Sequence, residues 1–254
     1  MSAIRSDVTY PFSEESISLL RHVETLLSSA DEMYLVGGFL RDSILGRTTR
    51  DIDIAFRGDA IVAARQLADS LGGTLVVLDQ QRRIARVVLD SEDRALLPDK
   101  RAWHFDLATL QGDIYSDLAR RDFTIDAMAL PLGPLLWGVC QSDLIDPFGG
   151  QRDLARGLIR AVSLEVFRED GVRLLRAIRL AASLKFELES GTRKSIRRDA
   201  ETICYVSAER VRDELLAILA TPKSVDSIYL MDDLGLMTRL LPELEAGRNV
   251  LQPK

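Results

Sequence analysis

Apolar and polar positions follow a distinctive order between residues 34 and 56 of the chain. The apolar run at residues 34–36 predicts a buried strand, and a glycine pair interrupts it. Apolar residues then recur at helical spacing over residues 39–46, which predicts a short helix that ends at a glycine. Residues 51–56 alternate between acidic and apolar side chains before an apolar end, which predicts a second strand. The rest of the chain is expected to be organised around this strand–helix–strand stretch.

The remainder of the first 150 residues predicts a mixed sheet with helices packed against it. Helices are expected at 14–29 and 59–71, and strands at 74–78, 84–89 and 103–110. From residue 151 onward the periodicity predicts helices only, at 150–156, 165–186, 189–202, 208–219 and 222–234. The sequence therefore predicts an α+β domain over residues 1–150, followed by an all-α domain over residues 151–254.

Composition and charge narrow the possible partners. Hydrophobic residues make up 46% of the chain and charged residues 28%. No apolar run approaches the ~20 residues of a membrane span, so no membrane partner is expected. The net charge of −6 by itself argues against a nucleic-acid partner. Residues 151–254 nevertheless hold 18 Lys and Arg against 16 Asp and Glu, which weakens that argument, since an RNA backbone would have to lie on this more basic half.

The N-terminal residues, the cysteines and the histidines bear on cellular location, disulfides and metal binding. The first ten residues lack the basic and apolar regions of a signal peptide, which predicts a cytoplasmic protein. Cys140 and Cys204 lie in unrelated apolar contexts and are expected to be reduced core residues, with no disulfide or zinc site. The two histidines, His22 and His104, have no partner at the spacing of metal ligands.

The alternating strand at residues 51–56 carries the first candidate chemistry. Asp51 and Asp53 point to the same side of this strand, where two carboxylates repel each other. A divalent cation is the usual reason to keep such a pair, and hard oxygen ligands suit Mg²⁺. The glycine pair, Gly37 and Gly38, adds backbone N–H groups at a helix N-terminus, which bind phosphate. Either feature alone is common and usually structural, so their combination carries the prediction.

Two further charged patterns follow along the chain. Residues 120–122 read Arg-Arg-Asp, which in isolation is most often a solvated turn. Residues 169–179 read Glu-Asp-x-x-Arg-x-x-Arg-x-x-Arg within the predicted helix 165–186. Alone, this second pattern is most often a solvated helix face with weak Glu–Arg pairs. On this predicted helix, one turn separates Asp170 from Arg173.

Taken in order, these three segments resemble the signatures of the class II tRNA nucleotidyltransferase and bacterial poly(A) polymerase family, over roughly residues 33–248. The second segment matches the family's Arg-Arg-Asp-Phe-Thr-Ile-Asn-Ala, except that Asp126 stands where Asn is usual. The resemblance implies a polymerase-β-like nucleotidyltransferase head over residues 1–150 and a helical, RNA-binding neck over residues 151–254. It also implies template-independent transfer from CTP or ATP to the 3′ end of tRNA, adding CCA or part of it.

The resemblance assigns a role to each candidate residue. Asp51 and Asp53 would hold two Mg²⁺ ions, and Asp106 on a neighbouring strand is either the third catalytic carboxylate or a simple strand-edge acid. Asp170 and Arg173 would pair with the edge of cytosine or adenine. The remaining nucleotide-binding candidates are Gly37, Gly38, Arg41, Asp42, Arg120, Arg121, Asp122, Arg176 and Arg179, of which the glycines and arginines would contact phosphates or RNA.

Two departures from the family pattern leave alternatives open. Only residues 111–119 connect the strand at 103–110 to Arg120, where the family often has a longer loop tied to adding the terminal A. A CC-only or A-only enzyme therefore stays open beside full CCA addition. The chain stops at Lys254, where family members continue into further helical domains, so a fragment of a longer protein is expected.

Three other functions are alternatives to this expectation. A poly(A) polymerase of the same family would use the same head. A non-catalytic RNA-binding module is disfavoured because Asp51 and Asp53 are both present. A toxin-like nucleotidyltransferase that modifies protein is disfavoured because it would lack the Glu-Asp-x-x-Arg pattern.

Overall fold

The computed structural model describes residues 12–27, 32–90, 102–133 and 144–248. The chain divides into two units, the first formed by Met1–Ala119 with Asp126–Gly150 and the second by Arg120–Ile125 with Gln151–Lys254. The short segment Arg120–Ile125 thus packs with the second unit, whereas the sequence analysis assigned it to the first domain. Cys140 and both ends of the chain lie outside the described residues.

A mixed sheet of six described strands forms the centre of the first unit, in the order β3-β4-β5-β2-β1-β6. The strands are β1 (Met33–Val36), β2 (Asp51–Phe56), β3 (Thr74–Asp79), β4 (Ile84–Leu89), β5 (Trp103–Thr109) and β6 (Ala129–Pro131). The helices of this unit are α1 (Glu14–Leu26), α2 (Gly37–Ile44), α3 (Ala60–Leu71) and α4 (Ile114–Ala119). Strands β2 and β5 pair in parallel, while the other described pairs are antiparallel.

Local sequence signals explain where these elements begin and end. The side chain of Asp59 accepts hydrogen bonds from the backbone N–H groups of Ile61 and Val62, which caps the start of α3 as expected. Gly72 ends the same helix in the left-handed region, at φ 58°. Alternation along β2 buries Ile52 and Ile54 almost completely, so Asp51 and Asp53 face away from the core. The expected α+β architecture is confirmed.

The second unit is predominantly helical, as expected. Its helices are α5 (Gly150–Arg156), α6 (Val166–Glu169), α7 (Arg173–Leu184), α8 (Ser190–Asp199), α9 (Ala208–Leu219), α10 (Ser224–Asp233) and α11 (Met237–Leu240). Two 3₁₀ helices follow α8 and α11, at Ala200–Tyr205 and Pro242–Gly247. Strands β7 (Leu158–Ile159) and β8 (Glu187–Leu188) pair in parallel. The sequence analysis expected only helices here, because strands of two residues are too short to show alternation.

The expected single helix at residues 165–186 is wrong in one important respect. It is two helices, α6 and α7, separated by an extended Asp170 at φ −154° and ψ 105°. At Gly171 a side-chain Cβ would lie 2.4 Å from the carbonyl oxygen of Thr202, so the chain passes too close for any larger residue. Tertiary packing therefore breaks a helix that local periodicity favours. Asp170 precedes α7 and is not one helical turn from Arg173 on a common helix.

The core of the second unit agrees with the sequence pattern on α7 and differs from it at one cysteine. Leu174, Leu175 and Ile178 are fully buried, as their spacing predicts. Cys204 is exposed, so its assignment to the core is wrong. It lies in a 3₁₀ helix that buries Ala200 and Ile203 instead. Among the described residues, no helix combines the length and the apolar character needed to cross a membrane.

Candidate active site

Two parallel strands of the first unit bring its acidic residues together. Asp51 on β2 pairs in register with His104 on β5, and Asp53 pairs with Asp106. Residues paired in this way project from the same face of a sheet. Because Ile52 between them is buried in the core, Asp51, Asp53 and Asp106 share the opposite face. The sequence placed Asp106 only on a neighbouring strand, and the register brings it directly beside Asp53.

A histidine contacts the outermost carboxylate of this face. The Nδ1 atom of His104 lies 2.7 Å from Oδ1 of Asp51, whose side chain is 66% exposed. Ligand spacing in the sequence gives His104 no metal-binding partner and does not reveal this contact. The available signal was its position two residues before Asp106 on the same strand, which puts both side chains on one face.

An arginine on the other side of β5 holds the third carboxylate. Arg86 lies on β4 in register with Asp106. Its Nε and Nη2 atoms donate to the two carboxylate oxygens of Asp106, both at 2.7 Å. These hydrogen bonds raise the pKa of Arg86 above its ordinary value, partial burial opposes the rise, and the charges of Asp51 and Asp53 add to it. Sequence reasoning missed Arg86, although it occupies the polar position between two buried residues of β4.

The carboxylate face, formed by Asp51, Asp53 and Asp106, has the oxygen donors of a possible metal site. Within the described ranges, no group of three or more His, Cys, Asp or Glu side chains is arranged to hold a metal ion. Asp51 and Asp53 nevertheless supply two oxygen donors on one face of β2. Protein-bound Mg²⁺ characteristically uses one or two carboxylates and completes its shell with water and substrate phosphates. The donor set therefore suits a Mg²⁺ ion that is bound together with a nucleotide.

The glycine turn before α2 lies against the same face. The backbone N–H of Phe39, in the first turn of α2, donates to Oδ2 of Asp53 at 3.4 Å. Gly37 has a φ of +66°, which favours glycine over residues with a side chain. A Cβ on Gly38 would lie 3.3 Å from Nη2 of Arg41 and 3.7 Å from Oδ2 of Asp53. The phosphate-binding helix N-terminus expected from the sequence thus lies beside the metal-binding candidate Asp53.

Arg41 and Asp42, both predicted to bind the nucleotide, contact each other in the structure. The guanidinium of Arg41 donates to both oxygens of Asp42 at 3.1 and 2.9 Å, and to Oδ1 of Asp126 at 2.7 Å. Burial lowers the pKa of Arg41, but the neighbouring carboxylates outweigh burial and raise the pKa above its ordinary value. Asp126, noted in the sequence as a departure from Asn, therefore has a defined partner inside the first unit.

Within the second unit, the Arg-Arg-Asp segment at residues 120–122 contacts the arginines of the 169–179 pattern. Asp122 is largely buried, and its Oδ2 lies 2.7 Å from Nε of Arg176 on α7. The carbonyl oxygen of Arg120 accepts a hydrogen bond from Nη2 of Arg173 at 3.0 Å. The adjacent Arg121 belongs to the same segment. The Arg-Arg-Asp segment and the start of α7 therefore form one cluster, which their separation in sequence did not reveal.

The candidate base-reading residues have partners of their own. The carboxylate of Asp170 accepts from the backbone N–H of Val172 at 3.2 Å and from Nη2 of Arg210 at 2.6 Å. Burial raises the pKa of Asp170, but these hydrogen bonds prevail and lower it below the usual value. Arg173 also donates to Glu169 at 3.0 Å. The sequence analysis did not identify Arg210, which lies on a different helix.

The last arginine of the pattern also contacts a carboxylate. Nε of Arg179 lies 2.6 Å from Oε2 of Glu214 on α9. Together with the Arg176–Asp122 pair, this contact places both arginines in ion pairs within the second unit. The sequence analysis expected both to face phosphates or RNA, and that role stays a prediction.

Two protein-family models match this chain, one over each of two successive segments. Residues 33–160 match the model described as poly A polymerase head domain, which covers half of the chain. Residues 185–247 match the model described as probable RNA and SrmB-binding site of polymerase A.

The chain is also similar to individual tRNA nucleotidyltransferases. The chain is 39% identical to a CC-adding tRNA nucleotidyltransferase of Geobacter sulfurreducens, over 80% of this chain and 44% of that protein. It is 36% identical to an A-adding tRNA nucleotidyltransferase of Deinococcus radiodurans, over 86% of this chain and 47% of that protein. The solved Thermotoga maritima CCA-adding enzyme complexed with tRNA superposes with a TM-score of 0.78 at 31% identity, over 96% of this chain and 55% of that one.

The chain spans about half the length of these relatives. The matched segments include the carboxylate face, the glycine turn and the Arg-Arg-Asp segment. The chain therefore belongs to the poly A polymerase head-domain family, among the class II tRNA nucleotidyltransferases.

Proposed function

We propose that this chain carries the catalytic part of a template-independent tRNA nucleotidyltransferase. In the proposed reaction, the 3′-hydroxyl oxygen of the RNA attacks the α-phosphorus of CTP or ATP. The hydroxyl proton passes to water, a new O–P bond completes the phosphodiester, the bond between the α-phosphorus and the α–β bridging oxygen breaks, and pyrophosphate leaves with the electron pair of that bond. The observation that carries the proposal is the alignment of Asp51, Asp53 and Asp106 beside the glycine turn of α2. Because tRNA is the proposed substrate, we also propose a cytoplasmic location.

The first unit would hold the triphosphate and its cation. Asp51 and Asp53 would supply oxygen ligands to Mg²⁺, which on binding activates the attacking hydroxyl and neutralises the triphosphate. The backbone N–H groups after Gly37 and Gly38 would bind phosphate oxygens at the positive end of α2. Arg41 is largely buried between two carboxylates. We therefore propose that it fixes the glycine turn, in addition to its expected attraction for the triphosphate.

The second unit would select the base. The Asp170 carboxylate would accept from the exocyclic amino group of cytosine or adenine, and Arg173 would donate to the adjacent ring acceptor. Uracil and guanine present the opposite pattern on that edge and would leave buried groups unpaired. Arg120 and Arg121 carry positive charge that would neutralise phosphate oxygens.

The names of the relatives support this proposal but differ in the nucleotide added. One adds CC, another adds A, and several are CCA-adding enzymes. The family model is named for poly A polymerase, which makes a poly(A) polymerase the second candidate. The two functions differ in the RNA they accept and in the length of the product.

The test is incubation with tRNA transcripts that end before CCA, after C and after CC, with each labelled NTP in turn. An unrelated RNA serves as the control substrate. The proposal predicts that CMP, AMP or both are added to at least one tRNA end, and that UMP and GMP are not. Long A tracts on the unrelated RNA would identify a poly(A) polymerase. No addition to any transcript would contradict nucleotidyl transfer by this chain.

A further inference from the structure

The guanidinium of Arg41 lies between two carboxylates of the first unit. Asp42 accepts from its Nε and Nη2 atoms at 3.1 and 2.9 Å, and Asp126 accepts from Nη1 at 2.7 Å. Both members of the second contact are largely buried, with 11% of the Arg41 side chain and 4% of the Asp126 side chain exposed. Within the described part of the chain, these contacts use three of the five N–H groups of the guanidinium and leave one on Nη1 and one on Nη2.

Arg41 borders the turn that is proposed to bind the triphosphate. A Cβ on Gly38 would lie 3.3 Å from Nη2 of Arg41 and 3.7 Å from Oδ2 of Asp53. The backbone N–H of Phe39, the next residue, donates to the same oxygen of Asp53 at 3.4 Å. A phosphate held by the backbone N–H groups of this turn would therefore lie beside Nη2 of Arg41.

The negative charge of Asp126 acts on the same guanidinium. Burial lowers the pKa of Arg41, and the charge of Asp126 is the largest of the influences that raise the pKa above its ordinary value. Because that charge attracts Arg41, a phosphate that approaches the turn has to compete with Asp126 for one cation. Asparagine, which is usual at this position in the family pattern, would keep an oxygen acceptor for Nη1 without the charge.

We propose that Asp126 is a positioning residue that competes with the triphosphate for Arg41 and so limits how tightly this chain binds nucleotides. The inference rests on the proposed function, because Arg41 borders the glycine turn that would hold the triphosphate. The carboxylate at residue 126 then has a consequence for the reaction. It weakens the hold on the incoming nucleotide and on the pyrophosphate product alike, since both bind through phosphate oxygens.

Three roles of Asp126 predict different effects of Asp126→Asn. Competition predicts tighter nucleotide binding, because Arg41 loses a charged partner and keeps a neutral acceptor. If Asp126 instead directed Arg41 toward the triphosphate, the weaker contact would weaken nucleotide binding. If Asp126 only stabilised the turn, the affinity for nucleotides would not change.

The experiment measures the binding of ATP and of CTP to the full chain by isothermal titration calorimetry, with Mg²⁺ and without RNA. We expect Asp126→Asn to bind both nucleotides about tenfold more tightly than the wild type. Inorganic pyrophosphate, which has no base, should gain affinity by a similar factor. Asp126→Glu, which keeps the charge, should bind all three as the wild type does.

Glu32→Gln is the matched control for the loss of one ion-paired carboxylate in the same unit. Glu32 precedes β1, whereas the glycine turn follows that strand, and its carboxylate lies 3.1 Å from Nη2 of Arg57. Its affinity for ATP and CTP should equal that of the wild type. A double variant assigns the effect to Arg41: adding Asp126→Asn to Arg41→Gln should tighten binding much less than Asp126→Asn does alone.

Kinetics and thermal melts separate competition from a merely structural role. In primer extension, Asp126→Asn should lower the KM for ATP and CTP without raising kcat, because the change acts on binding rather than on the reacting bond. Without nucleotide, Asp126→Asn should melt at a lower temperature than the wild type, since Arg41 has lost a charged partner. With ATP it should gain more stability than the wild type gains, because a tighter ligand stabilises the folded state more.

Failure of the inference can be told apart from failure of the proposed function. Unchanged or weaker binding of ATP and CTP by Asp126→Asn, with wild-type binding present, would overturn the inference and leave the proposed function intact. Tighter binding of ATP without tighter binding of pyrophosphate would also overturn it, as would equal tightening in the Arg41→Gln background. A wild-type chain that binds neither ATP nor CTP would overturn both.

Discussion

Arg176 on α7 and Asp122 in the Arg-Arg-Asp segment form an ion pair, with Nε of the arginine 2.7 Å from Oδ2 of the aspartate. The aspartate side chain is 10% exposed and the arginine side chain 42%. This contact joins two sequence patterns that were expected to lie in different domains. The segment Arg120–Ile125 belongs to the same unit as α7.

We predict that Arg176→Ala destabilises the second unit. Asp122 would lose its charged partner and keep the hydrogen bond from the N–H of Phe123 to its Oδ1. Because Arg176 is partly exposed, loss of this ion pair is expected to cost about 1 kcal/mol. The midpoint of urea unfolding checks this expectation. Arg212→Ala is the control, since Arg212 is exposed and pairs with the adjacent Asp213; an equal loss in both variants would contradict the prediction.

A second prediction concerns the break between α6 and α7. Gly171→Ala would put a methyl group 2.4 Å from the carbonyl oxygen of Thr202, so the backbone must move. Overpacking of this kind costs about 1–3 kcal/mol, and we expect a lower melting temperature. Gly247→Ala provides the control, because a Cβ there meets nothing within 4 Å. Equal melting temperatures for the two variants would show that the turn at Gly171 has room.

Sequence patterns predicted the fold wherever periodicity and capping acted locally. The alternation of β2, the Asp59 cap and the buried stripe of α7 are all consequences of neighbouring residues, and the structure contains each of them. The break at Gly171 could not be predicted, because the carbonyl of Thr202 that causes it lies 31 residues away.

Only part of the candidate site could be predicted from local sequence patterns. Strand alternation alone predicts that the side chains of Asp51 and Asp53 lie on the same face of β2. The contacts of Arg86, His104 and Arg210 depend on strand register and helix packing between distant segments. No local pattern in one sequence encodes that register.

The acid stability of the second unit gives a third prediction. Hydrogen bonds from Arg198, together with Arg168, outweigh burial and lower the pKa of Asp199 below its ordinary value. A carboxylate with a lowered pKa stabilises the fold above its unfolded pKa of about 3.9, and this contribution is lost as the pH falls through the folded value. Asp199→Asn should therefore be less stable than the wild type at pH 7, and the difference should vanish well below pH 4. Urea midpoints at pH 7 and pH 2.5 test this; a constant difference would contradict it.

The fourth prediction concerns the choice of base. Asp170→Ala should reduce discrimination against UTP and GTP by about ten- to a hundredfold, because buried hydrogen-bonding groups would be left half paired. The rate with CTP or ATP should also fall, since a loosely held base misplaces the α-phosphate. The measurement is kcat/KM for all four NTPs on one tRNA primer, for Asp170→Ala and Arg173→Ala, with the exposed Asp213→Ala as control. Wild-type ratios in both variants would show that neither residue reads the base.

The most direct test of nucleotidyl transfer is extension of a tRNA primer, resolved to single nucleotides, by the wild type and by Asp51→Asn/Asp53→Asn. Asp69→Asn is the control, an exposed aspartate on α3 of the same unit. We predict that the wild type and Asp69→Asn extend the primer and release pyrophosphate, and that the double variant does neither. The double variant should melt at the same temperature as the wild type or higher, because carboxylate repulsion is relieved. Extension by the double variant at the wild-type rate would contradict the assignment of the active site.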